Sequence, residues 1–295
     1  MTESRSEKFY FERGDIVLQV ENTIFKLHRD ILARYSGFFF NMFSMPAADV
    51  LEGTASNPLA LPSNLCTASL FTVLCDFLYP VRMGQFPHVS IANIDHWEAV
   101  LKATAALQME DTQQYILQKL QEDAPNIKSN AARILRLALD YDDNSISNLL
   151  FGALFVLAYR CQPISPTENV ILGEKAITLV NYTRESVRCC FFLGKAKAKI
   201  QTNTSCDKEN CKTAIFRKII ANMQTRPPNS VYDCNPTIFH ITSSQGLCAT
   251  CSPRRTTIAE SLRSNLLDEV VRKCYTDTQL NWAESSRRDN ELISD

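Results

Sequence analysis

The chain has 295 residues, of which 45% are hydrophobic and 21% are charged, and its formal net charge is −1. These values are typical of a globular protein that can bury a sizeable core. The first residues, MTESRSEKFY, are too polar for a secretory signal peptide, and the longest apolar run, 149–159, is shorter than the roughly 20 residues of a membrane span. We therefore expect an intracellular protein, cytoplasmic, nuclear or both, whose eleven Cys are mainly free thiols.

Residues 14–44 carry the most informative pattern. Two apolar runs, Ile16–Val20 and Thr23–Leu27, flank the polar pair Glu21-Asn22, which predicts a tight β-hairpin. A short helix follows, and a break at Ser36-Gly37 separates it from a second, strongly apolar helix. The apolar residues of that second helix are Phe38, Phe39, Met42 and Phe43. Apart from one His, the segment holds no catalytic group, so it predicts a binding surface and not a reaction centre.

This order of elements resembles the BTB/POZ domain. The first strand begins with an Asp, the second ends at His28, and a Ser-x-x-Phe step follows at Ser36 and Phe39. Farther along, 69–79 (SLFTVLCDFLY) resembles the third helix of the family, and its apolar face consists of Leu70, Phe71, Leu74, Phe77 and Leu78. The resemblance covers residues 10–122. The whole chain is similar to fungal proteins that have an N-terminal BTB domain and a helical, Cys-bearing C-terminal region.

The resemblance implies an α+β fold, with a short sheet flanked by helices, and a function in protein–protein interaction through self-association or partner recruitment. Two mechanisms remain open: an adaptor that docks a cullin scaffold of a ubiquitin ligase, and a nuclear regulator of transcription or chromatin. In repressor members of the family, two charged residues line a pocket at the dimer groove, and the matching positions are Asp15 and Arg29. A local ion pair is the alternative. We expect no enzyme activity and assign no catalytic residue.

A homodimer, if it forms, is expected to be weak. Only thirteen residues precede Gly14, so the full strand-and-helix swap of the repressor type is not expected. The dimer would then use the first two helices and a small N-terminal aromatic group. The expected anchors are Phe9, Tyr10, Phe11, Ile31 and Phe38.

Beyond the first domain the pattern is helical. A helical extension is expected at 128–200, and Ser165, Pro166 and Glu168 predict a helix that begins with a capping box. An irregular Cys-containing region is expected at 201–280. The segment 281–295 is rich in charge and has no apolar cluster, which is typical of a disordered tail.

Four Cys in the C-terminal third are candidate zinc ligands. Cys206-x4-Cys211 and Cys248-x2-Cys251 supply soft ligands, and the second pair has the spacing of a zinc knuckle. The alternates are Cys234 and His240. Because 36 residues separate the two pairs and Cys occurs throughout the chain, free thiols without a cofactor are the favoured interpretation, and zinc is the alternative.

Residues 184–226 are basic, with ten Lys or Arg and three acids. Together with a zinc site this segment would suit nucleic acid. The favoured interpretation is a solvated helix face, because the basic residues do not form one stripe. Protein partners are therefore expected, and nucleic acid and membranes are not.

Overall fold

The fold is described from a computed structural model, which covers residues 4–45, 52–62, 64–82, 84–141, 146–202, 206, 208–224 and 237–293. The chain divides into two compact units, Met1–Asp123 and Ala124–Asp295.

The first unit contains a four-stranded sheet with strand order β1-β3-β2-β4. Its strands are β1 (Ser4–Tyr10), β2 (Ile16–Val20), β3 (Thr23–Leu27) and β4 (Leu59–Leu61). β2 and β3 form the predicted antiparallel hairpin, in which Ile16 lies opposite Leu27. Glu21 takes the left-handed backbone conformation that this two-residue turn requires, with φ 53°. β1 and β4 lie at the two edges, each parallel to its neighbour.

Five α-helices are described in this unit besides the sheet: α1 (Arg29–Tyr35), α2 (Gly37–Ser44), α3 (Ala68–Leu78), α4 (Ile94–Ala106) and α5 (Glu110–Glu122). The predicted apolar face of α3 points into the core, with Phe71 and Leu74 fully buried. The ring of Phe71 meets that of Phe25 from β3 edge to face, with 4.9 Å between centroids. The unit is therefore an α+β domain whose core lies between the hairpin and α3.

The N-terminal strand differs from the expectation that residues before 10 lie outside the domain. β1 begins at Ser4 and pairs with β3, and the amide of Phe11 donates to the carbonyl of Lys26 at 2.9 Å. This pairing turns Phe9 inward, where its ring packs against Tyr79 with 6.1 Å between centroids. Phe9 is 2% exposed and belongs to the core. Its assignment as a surface anchor is therefore corrected.

The second unit is helical. Its helices are α6 (Ala131–Tyr141), α7 (Ser147–Tyr159), α8 (Pro166–Phe192), α9 (Lys195–Lys199), α10 (Lys208–Gln224), α11 (Arg255–Leu262) and α12 (Asp268–Ile293). The predicted capping box at the start of α8 is confirmed: the Ser165 hydroxyl accepts from the Glu168 amide at 3.2 Å, and the Glu168 carboxylate accepts from the Ser165 amide at 2.9 Å. Gly173, with φ 69°, interrupts α8.

The C-terminal part is more regular than the sequence suggests. α10, α11 and the first half of α12 lie within 201–280, and α12 continues through 281–293, where a disordered tail was expected. Val271, Cys274 and Thr278 are buried at helical spacing, and α12 packs on α8. A helix that is already packed extends at little cost because its nucleation has been completed, which accounts for the continuation into the charged segment.

Two buried polar side chains connect helices within this unit. The hydroxyl of Tyr159, on α7, donates to the carboxylate of Asp268 at the start of α12 at 2.6 Å. The guanidinium of Arg184, on α8, donates to the carbonyl oxygens of Leu157 at 2.6 Å and Gln162 at 3.0 Å. None of the described helices is long and apolar enough to cross a membrane.

Candidate interaction surface and candidate metal centre

Asp15 and Arg29, the predicted pocket residues, are neighbours, but their contact does not join two charges. The carboxylate of Asp15 accepts from the backbone amide of Arg29 at 2.7 Å, at the first residue of α1. The guanidinium of Arg29 lies over the ring of Phe43, 4.9 Å from its centroid. Asp15 therefore satisfies a free amide at the helix start, and Arg29 packs against α2.

α2 is held in place by its first residues. The hydroxyl of Ser36 accepts from the amide of Phe39 at 3.2 Å and donates to the carbonyl of Leu107 at 2.6 Å. The amide of Gly37 donates to the carbonyl of Gln108 at 3.0 Å. A side chain at Gly37 would meet Gln108, with a Cβ only 2.7 Å from its side-chain oxygen. The Ser36-Gly37 step thus connects the start of α2 to the end of α4 and fixes which aromatic residues face outward.

The aromatic residues of α2 divide between core and surface. Phe39 is buried, whereas Phe40 is 58% exposed. Tyr35 at the end of α1 and Met45 after α2 are also exposed, by 40% and 63%. We call Tyr35, Phe40 and Met45 the α1–α2 face. These three residues were not among the expected anchors, because the run Phe38-Phe39-Phe40 does not reveal which ring points outward.

The other expected anchors have mixed positions. Tyr10, Phe11, Ile31 and Phe38 are each partly covered. Phe11 lies among aromatic rings of its own domain, 4.9 Å from Tyr79 and 5.4 Å from His28 between centroids. Ile31 and Phe38 lie on α1 and α2. They therefore lie on the same two helices as the α1–α2 face, but they offer less accessible surface to a partner.

The second unit brings together the four Cys predicted as candidate zinc ligands: Cys206, Cys211, Cys248 and Cys251. Their sulfur atoms all lie within 4.8 Å of one another. Cys211 is in the first turn of α10, and Cys206 precedes that helix. Cys248 and Cys251 occupy a turn before α11, where the carbonyl of Cys248 accepts from the amide of Ser252 at 2.9 Å. Two segments that are distant in the sequence therefore supply two thiols each to one small volume.

The thiols of this cluster have unequal environments. The amide of Cys251 donates to the sulfur of Cys248 at 3.4 Å, and this bond is the main reason why the pKa of Cys248 falls from its ordinary value to about 7. Burial raises the pKa of Cys211.

His240 lies outside the cluster, and its carbonyl accepts from Asn222 at 2.9 Å. Cys234, the other alternate, lies outside the described residues.

Comparison with known families decides what the first unit is. The family model of the BTB/POZ domain matches residues 2–124. The first unit is a BTB/POZ domain. This domain is a protein–protein interaction module, and the match includes β1, which the sequence-based boundary at residue 10 had left outside. A comparison with curated proteins gives no match.

The basic segment after the BTB/POZ domain is partly used within its own unit. Arg184 is buried. Lys197 forms an ion pair with Glu209 at 2.6 Å, and Lys218 donates to the hydroxyl of Ser243 at 3.3 Å. Arg226 lies outside the described residues. The charge that remains for a ligand is therefore smaller than the count in the sequence.

Proposed function

We propose that this protein assembles through the α1–α2 face of its BTB/POZ domain, and that the first occupant of this face is a second copy of the chain. The observation that carries the proposal is the exposure of three large apolar side chains within two consecutive helices and the residue that follows them: Tyr35, Phe40 and Met45. Large exposed apolar side chains that lie together are typical of interaction sites.

The composition of α2 supports this assignment. Its sequence, GFFFNMFS, contains no charged residue. The centres of protein interfaces are depleted in charge and enriched in aromatic residues and Met, whereas their rims are polar. Asp30 and Arg34, both exposed on α1, supply charge at the margin of the face. Phe40 is the expected anchor, because aromatic residues that become buried on binding contribute most of the interaction free energy.

The size of the α1–α2 face indicates a modest affinity. A two-fold dimer places the same patch of both copies in contact, and a stable interface needs about 1,000 Å² of buried surface. Three exposed side chains form a small patch on this scale. We therefore expect a dissociation constant in the micromolar range. A weak dimer leaves the face accessible to a different protein.

The second partner that we propose is a cullin-type scaffold, for which this protein would act as a ubiquitin-ligase adaptor. The support is the resemblance to BTB/POZ proteins that act in this way. The helical second unit would then present the substrate. We do not propose the alternative, a nuclear regulator that contacts nucleic acid, because Arg184 and Lys197 of the basic segment are engaged within the protein.

Sedimentation equilibrium at several concentrations tests self-association. We expect the wild-type protein to form a concentration-dependent dimer and Phe40→Asp to be monomeric. Phe192→Asp is the matched control, since Phe192 lies on α8 in the second unit and is 76% exposed. A wild-type protein that stays monomeric at high micromolar concentration, or equal effects of the two substitutions, would contradict the proposed dimer. Binding of purified cullin to the same three proteins tests the adaptor role separately.

A further inference from the structure

We infer that Cys206, Cys211, Cys248 and Cys251 bind one zinc ion, which fastens residues 237–254 to α10. This site lies in the second unit and does not depend on the assembly proposed for the BTB/POZ domain.

The positions of the sulfur atoms are the first argument. Zinc bound by four thiolates has Zn–S distances of about 2.3 Å, so the sulfur atoms of an ideal site are roughly 3.8 Å apart. Here all four sulfur atoms lie within 4.8 Å of one another, and those of Cys206 and Cys251 are 3.3 Å apart. A cavity of this size suits a single ion. A cluster of several irons would need its ligands farther apart.

The surroundings of the sulfur atoms are the second argument. Cys211 and Cys251 are buried, and Cys206 and Cys248 are partly exposed, so the site is enclosed on one side and open to an incoming ion on the other. The amide of Cys251 points at the sulfur of Cys248. Backbone amides directed at the ligands stabilise the negative charge of metal-bound thiolates. Four thiolates select zinc over the harder ions magnesium and calcium.

The segment that the ion would secure has little regular structure of its own. Residues 238–254 contain no described helix or strand. Turns satisfy some of their backbone groups, and the others need partners outside the segment. α10 supplies some of them: the side-chain amide of Asn222 donates to the carbonyl oxygens of Ile238 at 3.0 Å and His240 at 2.9 Å.

The contacts continue along one face of α10 towards its start. Lys218 donates to Ser243, and Gly246 lies so close to Ala214 that a Cβ on the glycine would be 3.3 Å from the Ala214 methyl group. The helix positions 222, 218 and 214 are four residues apart, one turn each, so the segment runs antiparallel to the helix. The next turn brings Cys248 to Cys211. The zinc ion would close this row of contacts at the start of α10, where Arg255 of α11 also donates to the carbonyl of Ser252 at 2.9 Å.

Metal analysis of the full-length protein, produced in zinc-replete medium and purified under reducing conditions, tests the inference. We expect about one zinc per chain. Cys248→Ser/Cys251→Ser should lose the zinc, whereas the control Cys161→Ser/Cys189→Ser, which changes two Cys outside the cluster, should retain it. Bound iron in place of zinc, or no metal together with free or disulfide-bonded cluster thiols in mass spectrometry, would overturn the assignment.

Two further measurements do not require a folded Cys variant. Cobalt(II) added to chelator-treated wild-type protein should produce the intense visible absorption of a tetrahedral thiolate site, and an equivalent of zinc should remove it. Hydrogen exchange should be slow in 237–254 of the zinc-loaded protein and at least tenfold faster after chelation. Cobalt spectra without thiolate bands, or exchange that does not respond to chelation, would refute the site. Both outcomes are independent of dimerisation through Phe40.

Discussion

Arg184 provides a sharp test of how the second unit is held together. Its sequence context suggests a basic surface, yet its side chain is 5% exposed and donates to two backbone carbonyls that precede α8. Burial, followed by the positive charges of Arg188 and Arg160, lowers its pKa to about 10. The guanidinium therefore remains charged at neutral pH. Arg184→Met retains most of the apolar stem and removes every donor.

The expected loss follows from the two carbonyl groups that would be left without this donor, those of Leu157 and Gln162. A buried acceptor without a partner costs about 1–3 kcal/mol, so two cost about 2–6 kcal/mol. Burying the charged guanidinium costs hydration free energy in the wild-type protein. The Met variant does not incur this cost, and the difference offsets part of the loss. We expect the free energy of unfolding to fall by about 2–4 kcal/mol, a large share of the 5–15 kcal/mol that is typical of a domain.

Urea unfolding followed by the fluorescence of Trp282 measures this loss. The chain has two Trp, and Trp97 lies in the first unit, so Trp97→Phe leaves a reporter of the second unit alone. Lys195→Met is the control, because Lys195 is exposed and surface substitutions usually change stability by less than about 0.5 kcal/mol. Equal unfolding midpoints for Arg184→Met and Lys195→Met would refute the reasoning, since water would then satisfy both carbonyls.

Three other outcomes follow from groups that are buried or half-buried. Leu74→Asp should abolish folding of the BTB/POZ domain, measured by the near-ultraviolet circular dichroism of its aromatic residues, because an unpaired buried carboxylate costs several kcal/mol. Tyr159→Phe should lower the free energy of unfolding by about 1–2 kcal/mol in thermal denaturation, since Asp268 loses a donor. Burial opposes ionisation of Glu168, but two bonds with Arg160, at 2.5 and 2.7 Å, and the bond from the Ser165 amide lower the pKa of Glu168 overall. The resulting stabilisation should be complete above about pH 4.3, the ordinary value of an unfolded Glu, and should be lost as the pH falls through the lower pKa of the folded state. Urea unfolding midpoints measured against pH would show this loss.

Each of these outcomes has a control within the same chain. Ser69→Asp places the new carboxylate on the exposed side of α3 and should leave the domain folded. Tyr182→Phe removes the hydroxyl of an exposed Tyr and should leave the melting temperature unchanged. Glu168→Gln should flatten the acid branch of the stability profile relative to wild type. An identical acid branch in the two proteins would show that Glu168 does not contribute to it.

The elements that were predicted correctly depend on local sequence. The hairpin follows from two short apolar runs on either side of a polar two-residue turn, and the start of α8 follows from the capping box at Ser165. The buried face of α3 follows from helical spacing. β1 has no such signal, because its residues Ser4–Tyr10 are largely polar and only parallel pairing with β3 makes them a strand. Non-local pairing of this kind cannot be inferred from periodicity.

The candidate sites show the same limit. The two Cys pairs could be identified from their spacing, but their approach depends on the path of residues 237–254 along α10. The sequence indicates that α2 is aromatic, while the orientation of Phe39 and Phe40 depends on the bond from Ser36 to Leu107, the residue that follows α4. Arg184 was counted with a solvated face, because composition does not show which long side chain folds back onto a carbonyl.

The two edge strands disfavour one kind of contact between copies of the BTB/POZ domain, namely backbone pairing between their sheets. An exposed strand edge offers unpaired backbone groups to another chain, and such strands commonly lead to aggregation. At one edge, β1 carries the exposed charges of Arg5, Glu7 and Lys8, and at the other, β4 is only three residues long. Both features disfavour joining of sheets into a continuous ribbon. Growth through backbone pairing is thereby discouraged, whereas the two-fold contact proposed for the α1–α2 face would close after two copies and would not propagate.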